Sequence, residues 1–169
     1  MTLARPAILL VAAIALFAGG CYRLGTSLPP NLKTIYIPVF KNTADYPQLE
    51  SDVTDAVKDK FQFDNALKPV TSSDKADLIL DGEITSMKLN ALSYNRNRSA
   101  SAASYRMTLT ARVTVTKRRD GAFILKNAEI KGSTTFTVTG DIALSKRLAI
   151  PGAAKDLGQN IVDSVTNVW

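Results

Sequence analysis

Histidine is absent from this 169-residue chain, and cysteine occurs once, at Cys21. The commonest general base and the commonest metal ligand are therefore missing, and no intramolecular disulfide can form. There is no Gly-x-Ser-x-Gly elbow and no glycine-rich phosphate loop, so α/β-hydrolase chemistry and nucleotide binding of the usual kinds have no support. What remains for catalysis is thin. Asp81 and Glu83, two apart on an expected strand, would share a face and could pair as acid and base, but a solvated pair is the ordinary outcome. Ser145 and Lys146 are adjacent, but neighbours on a strand would face opposite sides. The chain reads as a protein that is not an enzyme and carries no cofactor and no metal.

Long apolar runs are also missing. The longest uncharged stretch near the start, residues 6–18 (PAILLVAAIALFA), follows the single basic residue Arg5 and precedes Gly19, Gly20 and Cys21. A spanning helix needs about 20 apolar residues, so this segment has the anatomy of a cleaved leader. Ala18-Gly19-Gly20-Cys21 resembles the lipobox of bacterial lipoproteins; the alternatives are a plain secretory leader or a short anchor helix. The resemblance implies cleavage after residue 20 and acylation of Cys21, with several acyl chains at about 0.8 kcal/mol per buried methylene holding the protein to a bilayer it does not span. Tyr22 stands where an aspartate would signal retention at the inner membrane, which implies the outer membrane.

What is present is one domain's worth of chain. Residues 21–33 hold Gly25, Pro29 and Pro30 without periodicity and read as the lipidated cysteine and a linker. Residues 34–169 suffice for one sheet-and-helix core without disulfides. The formal net charge of +6 falls by one when the leader with Arg5 is removed. That excess suits anionic lipid phosphates and is too dilute for a nucleic-acid surface.

Residues 34–40 (TIYIPVF) alternate as a strand that pairs incompletely at Pro38. From residue 48 to about 63, Leu49, Val53, Ala56, Val57 and Phe61 recur at helical spacing, with Asp45 or Asp52 favouring the helix start through the dipole. Residues 68–71 suggest a short strand. In residues 76–89, Leu78, Leu80 and Ile84 take one parity and Met87 and Leu89 the other, which a bulge near residues 85–87 would reconcile. Residues 105–116 alternate cleanly, with Tyr105, Met107, Leu109, Ala111, Val113 and Val115 on the core face. Asp120-Gly121 predicts a hairpin turn, and the return strand runs through residues 123–125 and 130–138 with a break at Asn127. Pro151-Gly152 then marks a boundary before a second helix over residues 153–169. The expectation is an α+β fold: a mixed, mainly antiparallel sheet of about four strands with two helices packed on one face and a Thr-, Ser- and Arg-rich face left polar.

Two stretches carry a family resemblance: residues 21–61 (CYRLGTSLPPNLKTIYIPVFKNTADYPQLESDVTDAVKDKF) and residues 152–169 (GAAKDLGQNIVDSVTNVW). The Tyr22-Arg23-Leu24 run after the cysteine, the strand with Ile35, Ile37 and Val39, Asn42-Thr43 before the first helix, and the spacing of Asp156, Leu157, Ile161 and Val162 together resemble LptE, the LPS-assembly lipoprotein family. The resemblance implies a plug in the lumen of the outer-membrane barrel LptD, assisting barrel assembly and lipopolysaccharide insertion from a periplasmic-side lipid anchor. It also implies lipopolysaccharide contacts from Arg96 and Arg98 in the loop before the long strand and from Lys146 and Arg147 between the last strand and second helix. Guanidinium and ammonium groups suit phosphate, although a mobile hydrophilic loop is the plain alternative for residues 95–104. The opening residues 37–57 also resemble envelope lipoproteins that activate peptidoglycan synthases or build secretion pores, which keeps that reading open.

Overall fold

The computed structural model of the chain describes residues 28–29, 31–94 and 102–167. Its elements run β1 Thr34–Tyr36, β2 Lys41–Asn42, α1 Leu49–Asp64, β3 Lys68–Val70, β4 Leu78–Tyr94, β5 Ala102–Lys117, β6 Phe123–Thr137 and α2 Ile142–Thr166, with a single 3-10 turn at Ser73–Lys75. The main sheet path is β3-β1-β4-β5-β6, and β2 also pairs with β4. The three short strands pair parallel and the three long ones antiparallel. The fold is thus α+β with a mixed sheet, as expected, but with six strands where about four were predicted.

The strand that alternation did not mark is β2, Lys41–Asn42, which follows the first apolar run of residues 34–40, where only Thr34–Tyr36 pairs. Pro38 has no N–H to give a ladder, and the amide of Phe40 leaves the sheet to donate to Thr54 Oγ1 on α1 at 2.9 Å. The chain therefore rejoins the sheet only at β2. Asn42 then fixes the loop into α1: its amide nitrogen donates to Tyr46 O and Glu50 Oε2, and its Oδ1 accepts from Ala44 N. Thr43 ties the same loop to β4 through Ile84 O. Of the two aspartates expected to favour the start of α1 through the dipole, Asp52 stands in its first turn together with Glu50, while Gln48 occupies the cap in a left-handed conformation without a side-chain bond.

The long strands follow their alternation closely. Met107, Leu109, Ala111, Val113 and Val115 are fully buried under the helices. The β4 register shifts between Ile84 and Ser86, so Met87 and Leu89 return to the core face opposite Leu109 and Met107. Gly121 takes φ +68° in the hairpin turn, and Asn127 takes φ +48° where β6 bulges against Val113 and Val115.

Helix α2 departs most from expectation, since it starts at Ile142 and not after Pro151-Gly152. Asp141 caps it, accepting from Ala143 N at 2.7 Å. Proline inside a helix costs about 3 kcal/mol and glycine about 1, yet burial of Ser145, Ala149 and Ile150 carries the helix through. Each helical glycine also lets a neighbour come near: a Cβ on Gly152 would lie 3.0 Å from Thr134 Oγ1, and one on Gly158 3.0 Å from Ala56 O, where α2 crosses α1. Both helices cover one sheet face, closing a core that includes Ile35, Val53, Val57, Phe61, Leu157 and Ile161.

Candidate functional site

The sheet gives the domain two ends. At one, Leu28 and Leu32 join the core as the chain enters, and the Asp77 carboxylate accepts from Lys33 N, Thr34 N and Thr34 Oγ1 at 2.9, 3.0 and 2.9 Å. The backbone amide of Lys33 is the main reason that this carboxyl is held below its ordinary range. At the opposite end the ladder of β4 and β5 closes with Tyr94 opposite Ala102, Thr137 of β6 lies opposite Ser104, and α2 begins a few residues later.

Of the predicted site residues, Cys21, Arg96 and Arg98 lie outside the described residues. Lys146 and Arg147 stand in the second turn of α2 and not between strand and helix. Being adjacent on a helix, they diverge. Lys146 is half-buried with its Nζ 4.7 Å from the centre of the Tyr46 ring, a cation-π contact that draws it toward the loop before α1. Arg147 is exposed. The neighbouring Ser145 is on a helix and not a strand; its buried hydroxyl donates to Asp141 O at 2.9 Å. That leaves no serine-lysine dyad, because the hydroxyl is occupied and Lys146 faces Tyr46.

The far end also carries apolar surface that patterning did not single out. Ile142, Leu144 and Leu148 on α2 are exposed, Leu148 at 72%, as is Leu92 near the end of β4. Tyr105 and Phe136 stack beside them with ring centres 5.8 Å apart. The signal was in the sequence, as apolar residues before Pro151, but the proline hid the helix that displays them. Chemically, this end offers cations beside an apolar shelf, the combination an anionic amphiphile requires.

The uncovered sheet face is polar. Thr108 of β5 lies between Lys88 of β4 and Ser133 of β6, and Arg112 lies between Glu83 and Glu129. Glu83 receives Arg112 Nη1 at 3.2 Å and the Thr43 hydroxyl at 3.2 Å, so it serves an ion pair at the surface rather than a carboxylate dyad with Asp81. No helix among the described residues is long and apolar enough to cross a membrane.

A two-helix layer on one face of a six-stranded mixed sheet, polar on the other, defines the class of this domain. The model of the LptE family, described as lipopolysaccharide-assembly, matches residues 32–165, and the chain belongs to that family. Among solved structures it is similar to XCC0632 from Xanthomonas campestris, with TM-score 0.53 and 10% identity over 85% of this chain and 90% of that one. It is also similar to the hypothetical protein CT253 from Chlamydia trachomatis, with TM-score 0.52 and 11% identity over 81% and 95%. The PelC dodecamer from Paraburkholderia phytofirmans gives TM-score 0.51 and 9% identity over 84% and 95%. At such identities the likeness is one of fold. No curated protein sequence matches the chain.

Proposed function

We propose that the chain is made with a leader at residues 1–20, is acylated at Cys21, and through the linker 21–33 holds the domain of residues 34–169 at the periplasmic side of the outer membrane. There it seats in the lumen of the barrel LptD, helps that barrel assemble, and assists lipopolysaccharide insertion into the outer leaflet, with no catalytic step of its own. Membership of the lipopolysaccharide-assembly family over residues 32–165 carries this reading. The polar sheet face supports it, since a wet barrel lumen lined by polar side chains suits a plug presenting Thr, Ser and Arg.

In this reading Arg96, Arg98, Lys146 and Arg147 meet the phosphates of lipopolysaccharide, and Leu144 and Leu148 lie against its acyl portion. Charge-assisted bonds from guanidinium to phosphate give such a contact both strength and direction. Depleting the chain in its native cell tests the proposal. Lipopolysaccharide should stop reaching the cell surface and the level of mature barrel should fall; unchanged surface lipopolysaccharide with unchanged barrel would overturn it.

A further inference from the structure

At the end where the chain enters, a cavity of about 320 Å³ lies among Asn31, Leu32, Asp77, Arg118, Arg119 and Asp120. Arg118 is fixed at its wall: its backbone N–H donates to Asp77 O at 2.9 Å and its Nε to Ala76 O at 2.8 Å. One edge of the guanidinium is thereby held, and no described residue hydrogen-bonds its two NH2 groups. The backbones of Lys33, Lys68 and Lys75 meet at the same end, since Lys68 N donates to Lys33 O at 2.8 Å and Thr34 Oγ1 donates to Lys75 O at 3.1 Å. The nearby acids offset them incompletely. Asp77 accepts from Lys33 and Thr34 and is attracted to Arg118, Asp120 accepts from Ala122 N, and Asp74 stands in the 3-10 turn. Beyond the hairpin turn, Phe123 is 56% exposed with Lys126 Nζ 5.0 Å from its ring centre, an aromatic body beside a cation, as suits a membrane-water boundary.

The geometry points to a phosphate pocket at this end that takes the headgroups of anionic phospholipids in the leaflet holding the Cys21 anchor. A pre-positioned guanidinium fits a phosphodiester oxygen pair, and flanking lysines add attraction to an anionic surface. Leu28 is seven residues from Cys21 in the sequence, a reach of at most about 25 Å. The inference rests on the acyl anchor proposed above and concerns the end opposite Lys146 and Arg147.

The test uses the mature chain purified from membranes with Ala122 replaced by cysteine (Ala122→Cys) and labelled with a fluorophore, in phosphatidylcholine vesicles with and without about one-third phosphatidylglycerol. Headgroup spin-labelled lipid should quench the label more strongly when phosphatidylglycerol is present. Lys33→Gln and Arg119→Gln, both exposed positions whose side chains bond no described residue, should each reduce the excess by up to about fivefold. Inorganic phosphate should not displace it. Equal quenching in both vesicles, indifference to the two substitutions, or displacement by inorganic phosphate would each overturn the pocket as a headgroup site. The dye count separates the anchor from the pocket: one dye per chain means that Cys21 is blocked, and two mean that the anchor reading has failed. Co-sedimentation of the same chain with the same vesicles then reads the pocket alone.

Discussion

The Asp156 carboxylate on α2 accepts the backbone amide of Ser133 on β6 at 2.7 Å. One helical turn on, Asn160 Nδ2 donates to Lys131 O at 2.8 Å. β6 is an edge strand, and its outward-pointing backbone groups would otherwise be a template for a foreign strand. The two side chains occupy one donor and one acceptor of that edge. Replacing Asp156 by alanine should destabilise the domain by about 1.5–3 kcal/mol, the range for a hydrogen bond to a charged group. Urea unfolding measures this, and size-exclusion chromatography should show edge-paired oligomers for the Asp156→Ala, Asn160→Ala double variant.

Gly132 on β6 faces α2 so closely that a Cβ there would collide with the backbone of Leu157. Backbone cannot rotate away as a flexible side chain can. Gly132→Ala should therefore push α2 off the sheet and cost about 2–4 kcal/mol, in the range of overpacked or disrupted cores. Near-wild-type thermal stability of this variant would show that the helix can shift at little cost.

Much of this was legible beforehand. The strict alternation of residues 105–116 gave β5 and its buried face, Asp120-Gly121 gave the hairpin, and the parity change before Met87 gave the bulge in β4. Local rules suffice there, because side-chain period and turn conformation are decided within a few residues. The N-terminal half of α2 was not legible, since Pro151 and Gly152 carry strong local penalties that only contacts with distant β6 and α1 outweigh. The role of Asp156 was hidden for the same reason: a carboxylate on a helix surface says nothing of the strand edge beside it. At the candidate site, Lys146 and Arg147 could be picked out by charge, but their divergence and the Tyr46 contact follow from the helix that the proline concealed.

Asp77 joins the chain entry to β4, and its folded pKa lies below its ordinary value because the charged form accepts bonds from Lys33 and Thr34. A depressed carboxylate pKa contributes stability that is present above the unfolded value and lost as pH falls through the folded one. Thermal midpoints of the wild type should thus fall more steeply below about pH 4 than those of Asp77→Asn, which lacks this titration. Parallel curves for the two proteins would remove Asp77 from the account.

For the far end, Arg147→Glu should weaken lipopolysaccharide binding about tenfold or more, corresponding to loss of one charge-assisted contact of about 1.5 kcal/mol. Lys146→Gln should act similarly, whereas Tyr46→Leu, which removes only the ring that holds Lys146, should have a smaller effect. Fluorescence titration with purified lipopolysaccharide measures all three. Equal affinities across the set would leave the family's basic contacts without a counterpart in these two residues.

The most direct measurement is affinity purification of the intact chain, with its Cys21 lipid, from the native outer membrane, followed by mass spectrometry of the proteins retained. A large β-barrel present in a one-to-one ratio is the predicted result. Recovery of a peptidoglycan synthase or a secretion component in place of a barrel, or of no barrel at all, would contradict the plug reading.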